Sequence, residues 1–381
     1  MNRKRKRIGV LTGGGDCPGL NAVIRAVVKT AENEYGIEVI GFFDGYEGVV
    51  ENRFRTLDMK DVPGLLSQGG TILGTSNRAD PFNYPVLQGD GYVHLDRSQQ
   101  ALLNFESLGL DALIAIGGDG TMAASAGLCA KGMPIVGVPK TIDNDLVGTD
   151  VTFGFDSALH TATEAIDKIH TTAQSHHRVM IVEVMGRYAG WLALGSGLAG
   201  GGDIILIPEF PYELDSVCEQ VKLRKSQGKN FSIVIIGEGA KPAGGSMVVS
   251  RMVKNSPDAI RLGGISHQLA AQIEAVMNVE SRVTILGHLV RGGAPSPADR
   301  LLATQLGVEA VHIIARGEYG QMVAVRQNAI TSVPISTVAG KQRRVTPDHP
   351  WVKTATAMGV CLGVPLGLSI EEYYSEMQTT V

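Results

Sequence analysis

The sequence has few of the residues that mark secreted, membrane or nucleic-acid-binding proteins. Only four of its 381 residues are cysteines; they are widely scattered, and no CxxC pair exists. That spacing indicates neither a disulfide framework nor a structural zinc site, and it suits reduced thiols in the cytosol. Aromatic residues make up only 5% of the chain, and a net charge of −4 is not the strong basic excess of a nucleic-acid binder.

Long apolar runs are also missing. No run reaches the length that would span a membrane. The first residues, Met1–Arg7, are basic but lack the longer apolar region of a signal peptide. We therefore expect a cytoplasmic protein with neither a membrane nor a nucleic-acid partner, and its length is sufficient for two globular domains.

Glycine, in contrast, is abundant, with 48 residues, many of them clustered directly after short apolar runs. The predicted strand Ile8–Thr12 runs into the triple glycine Gly13–Gly15, and a helix begins near Asn21. Free N–H groups at the start of such a helix can bind a phosphate. The loop matches neither GxGxxG nor the P-loop pattern, so taken alone it could equally be a tight turn.

Short apolar runs alternate with helical patterns along most of the chain. This alternation predicts an α/β protein with parallel sheets, most simply two of them. Asn83 to Arg97 has the pattern of an inserted surface hairpin. The predicted strands are Ile8–Thr12, Glu38–Phe43, Ala112–Ile116, Ile135–Val138, Val179–Val184, Asp203–Ile207, Ser232–Ile236, Val283–Leu286, Met322–Val325 and Ala329–Val333.

The stretch Pro139–Asp145 carries the strongest chemical signal. It places two carboxylates and a lysine directly after a buried strand, where open α/β sheets bind ligands. Asp143 could take a proton from a hydroxyl group, and Lys140 could meet a phosphate. Taken alone, a capped turn in which Asp143 and Asn144 bond the local backbone explains the stretch equally well.

Other predicted loops add compatible groups. Asp119, inside a glycine turn, could hold Mg²⁺ or cap the helix that follows. Arg78 ends a loop rich in glycine and hydroxyl groups and suits the charge on a transferring phosphoryl group. Polar residues near strand ends in the second half suit an anionic sugar substrate, although any single arginine could be a surface ion pair. These residues are Arg178, Arg187, Glu238, Arg282, His288 and Arg291.

Together these groups are the parts needed for phosphoryl transfer to a hydroxyl group. Seven motifs also occur in the order seen in 6-phosphofructokinases, from roughly Ile8 to Arg300. They are GGGDCPGLNAVIRAVV, IGGDGT, PKTIDND, FGFDSA, VEVMGRYAGWLAL, IGEGA and LGHLVRGG. The chain therefore resembles the phosphofructokinase A family, and the set is far more specific than any single glycine loop.

This resemblance implies an α/β fold of two Rossmann-like parallel-sheet domains. Residues 1–155 with about 292–340 would bind ATP and Mg²⁺, and residues 156–291 with about 341–381 would bind fructose 6-phosphate. The implied reaction transfers the γ-phosphoryl group of ATP to the sugar 1-hydroxyl in glycolysis. The implied assembly is a homodimer or homotetramer with shared active sites.

The resemblance also assigns roles to individual residues. Asp143 resembles the base and Asp119 the Mg²⁺ carboxylate, while the loop of Arg78 departs by one residue from the commoner GSAR. The implied catalytic residues are Asp143, Arg78, Thr141 and Lys140. The implied donor-binding residues are Gly14, Gly15, Tyr46, Gly118, Asp119, Gly120 and Thr121. The implied sugar-phosphate residues are Thr141, Asp143, Asp145, Arg178, Met185, Gly186, Arg187, Glu238, Arg282, His288 and Arg291.

Two further expectations concern the assembly. Arg178 and Arg282 match arginines that reach into the site of a neighbouring subunit. Arg25 and Lys29 lie one turn apart on the first helix, where regulated bacterial enzymes bind an effector, but a solvated basic edge explains them as well. We assign no function to the tail beyond about Pro334.

The phosphoryl donor is the main alternative left open. In this family a glycine at the position of Gly120 leaves room for a nucleotide, whereas the lysine at the position of Lys140 is common in pyrophosphate enzymes. We favour ATP over pyrophosphate because a small residue at position 120 is a steric requirement for a nucleotide. The charge of Lys140, in contrast, could contact the phosphates of either donor. An NAD- or lipid-kinase-like enzyme would lack PKTIDND. A catalytically silent regulatory subunit would be expected to have lost Asp143, Asp119 or Arg78.

Overall fold

Short aliphatic runs form two mainly parallel sheets in this computed structural model, which describes residues 5–89, 91–252 and 260–379, and four further strands form two separate antiparallel pairs. The strands are β1 Arg7–Thr12, β2 Glu38–Phe42, β3 Phe54–Leu57, β4 Tyr84–Gln88, β5 Gly91–Leu95, β6 Ala112–Gly117, β7 Ile135–Pro139, β8 Val179–Val184, β9 Ile204–Leu206, β10 Ser232–Gly237, β11 Val249–Met252, β12 Ile260–Leu262, β13 Ser281–Ile285, β14 Gln321–Arg326 and β15 Ala329–Pro334.

Helices cover the sheets and connect their strands. They are α1 Leu20–Tyr35, α2 Tyr46–Glu51, α3 Ser98–Ser107, α4 Asp119–Ala130, α5 Phe155–His176, α6 Trp191–Ala199, α7 Leu214–Ser226, α8 Ile265–Met277, α9 Pro297–Arg316, α10 Ile335–Val338, α11 Pro350–Ala357 and α12 Ile370–Thr379. Short 3-10 helices lie at Leu65–Ser67 and Gly287–Arg291. Within the described ranges, none of the helices combines the length and apolar character needed to cross a bilayer.

Among the described residues, the larger sheet has seven strands in the order β15-β14-β7-β6-β1-β2-β3. Its five inner strands are parallel, and β3 and β15 are antiparallel edge strands. The smaller sheet has the order β13-β8-β10-β9 and is parallel throughout. Strands such as β6 and β8 are buried along their whole length, because helices cover both faces of a parallel sheet.

The packing of α1 against α9 positions the first glycine loop. The start of α1 follows Gly19, whose φ of 107° is one that glycine adopts readily. At Gly307 of α9, a Cβ atom would lie 2.9 Å from Cβ of Ala26 on α1. A glycine at this point therefore lets α1 lie close to α9.

The predicted α/β fold is confirmed, and each predicted strand occurs within one or two residues of its expected position. The inserted hairpin is also present as the antiparallel pair β4 and β5, although Asp90 at its turn and the first four residues of the basic run lie outside the described residues. The division into two domains stays a prediction. The larger sheet uses strands between residues 7–139 and 321–334, and the smaller one uses strands between residues 179–285.

Candidate active site

A cavity of about 330 Å³ opens at the carboxyl ends of β1, β6 and β7, which are neighbours in the larger sheet. This is the edge at which open α/β sheets bind ligands. Twelve of the residues predicted from the sequence line this cavity. They are Gly14, Gly15, Tyr46, Gly118, Asp119, Gly120, Thr121, Lys140, Thr141, Asp143, Asp145 and Arg291.

The first glycine loop is tied to the loops on either side of it. The backbone N–H of Gly13 donates to the carbonyl of Ile116 at 2.8 Å, and that of Gly14 donates to Ser76 at 3.1 Å. A Cβ atom on Gly15 would lie 2.6 Å from Nη1 of Arg291. The absence of a side chain at Gly15 therefore allows the guanidinium group to approach the loop.

Lys140 connects the loops that follow β1 and β7. Its side chain is buried, and its Nζ donates a hydrogen bond to the carbonyl of Gly15. Burial lowers the pKa of Lys140, because desolvation disfavours its charged form. Within the protein this lysine therefore holds the glycine loop rather than extending into the middle of the cavity.

Two carboxylates, Asp143 and Asp145, follow β7 on either side of Asn144, which has a φ of 50°. Burial raises the pKa of Asp143 to about 6, with Arg291 opposing this shift and Glu238 adding to it. Burial and the charge of Asp143 raise the pKa of Asp145 to about 7. Both carboxylates are thus poised to change protonation near neutral pH, as a catalytic base requires.

The Oδ1 atom of Asp143 is buried and has no hydrogen-bond partner among the described residues. Leaving a buried acceptor unsatisfied is costly, so such an atom marks a position that a bound group would satisfy. The backbone N–H of Asp143 donates to Oγ1 of Thr141 at 3.0 Å, which fixes the start of the turn. The geometry suits a carboxylate that accepts a proton from a substrate hydroxyl group.

Asp119 is the first residue of α4, and its Oδ1 accepts a hydrogen bond from the N–H of Gly120 at 2.8 Å. Its negative charge repels the ionised forms of Asp143 and Asp145 and so adds to the rise in the pKa values of those two carboxyls. A divalent cation would relieve this repulsion. Mg²⁺ is commonly held by one or two carboxylates together with substrate phosphates, so Asp119 and Asp145 fit that ion.

Gly120 leaves the cavity open on the donor side. A Cβ atom at this position would have no neighbour within 4 Å. Since Gly120 lines the cavity, a larger side chain there would project into its open space. Tyr46 also lines the cavity, and its hydroxyl lies 2.6 Å from Oγ of the buried Ser125.

The predicted sugar-binding residues after β8 and β10 lie together at the carboxyl edge of the smaller sheet. The N–H of Glu238 donates to Val184 at 2.9 Å, and that of Gly239 donates to Gly186 at 3.1 Å. Burial raises the pKa of Glu238, with the charge of Glu183 adding to the shift. Met185, Gly186, Arg187 and Glu238 are therefore neighbours, but none of them lines the cavity, and their sugar-binding role stays a prediction.

Arg291, which the resemblance assigns to sugar-phosphate binding, contacts the first glycine loop. It ends the 3-10 helix Gly287–Arg291, and its Nη1 donates to the carbonyl of Asp16 at 3.0 Å. The same side chain lines the cavity that contains Asp143. His288 starts from the same short helix but is exposed and does not line the cavity.

Arg178 and Arg282, which the resemblance assigns to the site of a neighbouring subunit, lie away from the other predicted polar residues of their own chain. Arg178 precedes β8 and Arg282 is near the start of β13, so both lie at the amino edge of the smaller sheet. Nε of Arg178 lies 2.6 Å from Glu280, which also pairs with Arg282. The six residues of β8 separate this edge from the carboxyl edge, where Met185 lies, by about 20 Å.

Arg78 is exposed and is not among the residues that line the cavity, whereas Ser76, Asn77 and Asp80 line it. The N–H of Arg78 donates to Oγ of Ser76 at 3.2 Å. Asn77, rather than the predicted Arg78, therefore lies at the cavity.

Two groups from the C-terminal tail were missed. Nε2 of Gln342 lies 3.4 Å from Oδ2 of Asp119, and Arg343 contacts the loop of Asp143. No sequence motif pointed to this tail. Arg25 and Lys29 are half-buried on α1, away from the residues that line the cavity, and their effector role stays a prediction.

The fold and the cavity define an α/β protein with a ligand site at the carboxyl ends of its parallel strands. A phosphofructokinase family model matches residues 7–314. The chain therefore belongs to the phosphofructokinase family. It is 50% identical, over 362 residues, to "ATP-dependent 6-phosphofructokinase 2" of Clostridium perfringens, with 94% of this chain and 99% of the relative covered.

Solved structures agree with this assignment. The chain aligns to phosphofructokinase from Saccharomyces cerevisiae with a TM-score of 0.73 and 32% identity over 93% of its own length. It spans about half, 47%, of that longer chain. A pyrophosphate-dependent phosphofructokinase from Marinobacter aquaeolei has the same fold, with a TM-score of 0.76, 20% identity, and coverage of 98% of this chain and 91% of its own.

Proposed function

We propose that this protein transfers the γ-phosphoryl group of ATP to the 1-hydroxyl of fructose 6-phosphate, as a cytoplasmic enzyme of glycolysis. The products are fructose 1,6-bisphosphate and ADP. The observation that carries the proposal is the buried and unsatisfied Oδ1 of Asp143, in a cavity shared with a glycine loop. The 50% identity to an enzyme named as ATP-dependent supports it.

The proposed mechanism places the donor phosphates against the glycine loops that follow β1 and β6, near the start of α4. Asp143 accepts the proton of the sugar hydroxyl as the oxygen attacks the phosphoryl group. Arg291, which lines the cavity and contacts the donor loop, stabilises the charge on that group. Asp119 and Asp145 would hold Mg²⁺, which neutralises charge on the donor phosphates.

The open space beside Gly120 supports ATP as the donor. A nucleotide needs room beyond the phosphates that react, and a Cβ atom at Gly120 would meet nothing within 4 Å. Lys140 is the feature that favours the alternative, a pyrophosphate-dependent enzyme. Its Nζ is bonded to Gly15, which leaves the space beside Gly120 free. We therefore propose ATP and keep pyrophosphate as the second candidate.

The remaining assignments are proposals on the same basis. Met185, Arg187 and Glu238 would bind the sugar, since they lie together at the carboxyl edge of the smaller sheet. Arg178 and Arg282 would complete the site of a neighbouring subunit in a homodimer or homotetramer, because they are about 20 Å from the sugar-binding edge of their own chain.

An assay of fructose 1,6-bisphosphate formation tests the proposal. The purified protein would be given fructose 6-phosphate and Mg²⁺, with ATP in one reaction and pyrophosphate in another. Turnover with ATP alone is expected. Turnover with pyrophosphate alone would contradict the choice of donor, and the absence of turnover with both would contradict the proposed function.

A further inference from the structure

The tail beyond Pro334, which carried no recognisable motif, returns to the active site at residues 342–345. Gln342 forms an antiparallel bridge with Leu146, directly after the catalytic loop. The N–H of Arg343 donates to the carbonyl of Asp145 at 2.6 Å. The 342–345 segment therefore lies alongside the loop that carries Asp143 and Asp145.

The side chain of Arg343 makes a second attachment to the same loop. Its Nε and Nη2 atoms donate to the carbonyl of Asn144 at 3.2 and 2.8 Å. Asn144 lies between the two carboxylates and has a left-handed φ of 50°. A conformation of this kind persists only where its surroundings hold it, and the paired donors of one guanidinium group do so.

The other side of Arg343 is held by the smaller-sheet half of the molecule. Its guanidinium group lies 4.6 Å from the ring centre of Trp191. The indole Nε1 of Trp191 donates a hydrogen bond to the backbone carbonyl of Arg343 at 2.9 Å. Glu209, which is buried, accepts hydrogen bonds from the N–H groups of Gly190 and Val345. Arg343 is thus fixed between α6 and the catalytic loop.

We infer that Arg343 is a positioning residue, which holds the turn at Asn144 so that the carboxylate of Asp143 meets the sugar hydroxyl group. The inference rests on the proposed function of that site. Because Arg343 touches the backbone of the loop and does not line the cavity, its removal affects the orientation of the base more than the binding of substrates. A displacement of about 1 Å at such a site can cost about 100-fold in rate.

The test compares Arg343→Met and Arg343→Lys with wild type. Arg343→Met keeps much of the apolar stem but removes both donors, and we expect kcat to fall about 100-fold, with the KM values changing less than about threefold. Arg343→Lys keeps the charge but cannot reproduce the paired bonds, so it should recover only part of the rate. The matched control is Arg344→Met, because Arg344 is the exposed neighbour in the same segment.

Fluorescence gives a readout that is independent of turnover. The chain has two tryptophans, so in a Trp351→Phe background the emission reports on Trp191 alone. Arg343→Met should shift this emission, since the guanidinium group leaves the indole face, and Arg344→Met should not. Turnover by wild type, with whichever donor supports it, is measured alongside.

The outcomes separate the two proposals. No turnover by wild type would contradict the proposed function, and the Trp191 emission would then test the contact itself. A folded Arg343→Met protein with wild-type kcat, or with a raised KM and unchanged kcat, would overturn the inference. If Arg343→Met does not fold, Arg343→Lys decides, and wild-type kcat in that variant would overturn it.

Discussion

At the scale of single residues, the protonation of Asp143 sets the pH at which the proposed enzyme can work. Burial raises the pKa of this carboxyl to about 6, so the group is protonated below that pH and ionised above it. Only the ionised form can accept a proton. We therefore expect kcat/KM to fall about tenfold for each pH unit below 6 and to level off above about 7.

A pH–rate profile between pH 5 and 8 checks this expectation. Circular dichroism over the same range provides the control, because loss of the fold in acid would produce a similar decline. A flat profile from pH 5 to 7 in a folded protein would rule out Asp143 as a base with a raised pKa.

Gly120 allows a separate prediction about the donor. Replacing it with Asp would place a carboxylate in the open part of the cavity, where it would repel the additional phosphate of a nucleotide. We expect kcat/KM for ATP to fall by about 100-fold or more, because a like charge at close range costs several kcal/mol. Steady-state kinetics with ATP measure the effect.

The control for this substitution is Gly120→Ala. A Cβ atom has no neighbour within 4 Å at this position, so the alanine variant should remain within about threefold of wild type. If the aspartate variant used ATP as well as the alanine variant does, Gly120 would not determine the donor.

The sequence predicted the composition of the site better than its geometry. Motif spacing assigned Asp119, Asp143 and Gly120 to loops that the parallel sheet brings together. The contact between Arg343 and Asn144 could not be predicted, because it joins two segments that are far apart in the chain and depends on the path of the tail. Likewise, the position of Asn77 rather than Arg78 at the cavity depends on the conformation of one loop.

At the scale of secondary structure, the buried parallel strands were the easiest elements to predict. Runs such as Val179–Val184 are apolar on both faces, because helices cover them on both sides. Helix α6 was missed since seven of its nine residues are buried, which leaves no alternation of polar and apolar faces to detect. Strand β3 was missed because it has only four residues and lies at an edge.

The contact between α1 and α9 gives a prediction for stability. Gly307→Val would force side-chain atoms into a space where even a Cβ atom lies 2.9 Å from Ala26 and from the carbonyl of Val23. We expect the free energy of unfolding to fall by about 1–3 kcal/mol, as is usual for overpacking. Urea denaturation followed by circular dichroism measures this change.

Gln305→Val is the matched control for this experiment. Gln305 lies on the exposed face of the same helix, so the added valine meets solvent there. Its effect should remain within about 0.5 kcal/mol. Equal losses in the two variants would indicate that valine weakens the helix itself and that the packing at Gly307 is not responsible.

At the scale of the whole molecule, the positions of Arg178 and Arg282 bear on whether one chain forms the proposed site alone or shares it with a second chain. Both lie at the amino edge of the smaller sheet, where they pair with Glu280. Arg178 is about 20 Å from Met185 of its own chain, since the six-residue strand β8 separates them. A sugar phosphate bound beside Met185 could not reach this arginine within one chain, but it could reach the arginine of another copy.

Mixing two inactive variants tests this arrangement directly. The Arg178→Ala subunit lacks the arginine that would extend into the site of a neighbouring subunit, and the Asp143→Ser subunit lacks the base of its own site. Each variant should therefore be inactive alone. In a hybrid dimer, the subunit with Arg178→Ala keeps its own Asp143 and receives Arg178 from the other subunit. Random exchange of equal amounts should therefore restore about a quarter of wild-type activity, because half of the dimers are hybrids with one complete site in two. If the mixture remained as inactive as its parents after exchange confirmed by mass spectrometry, Arg178 would serve no neighbouring site.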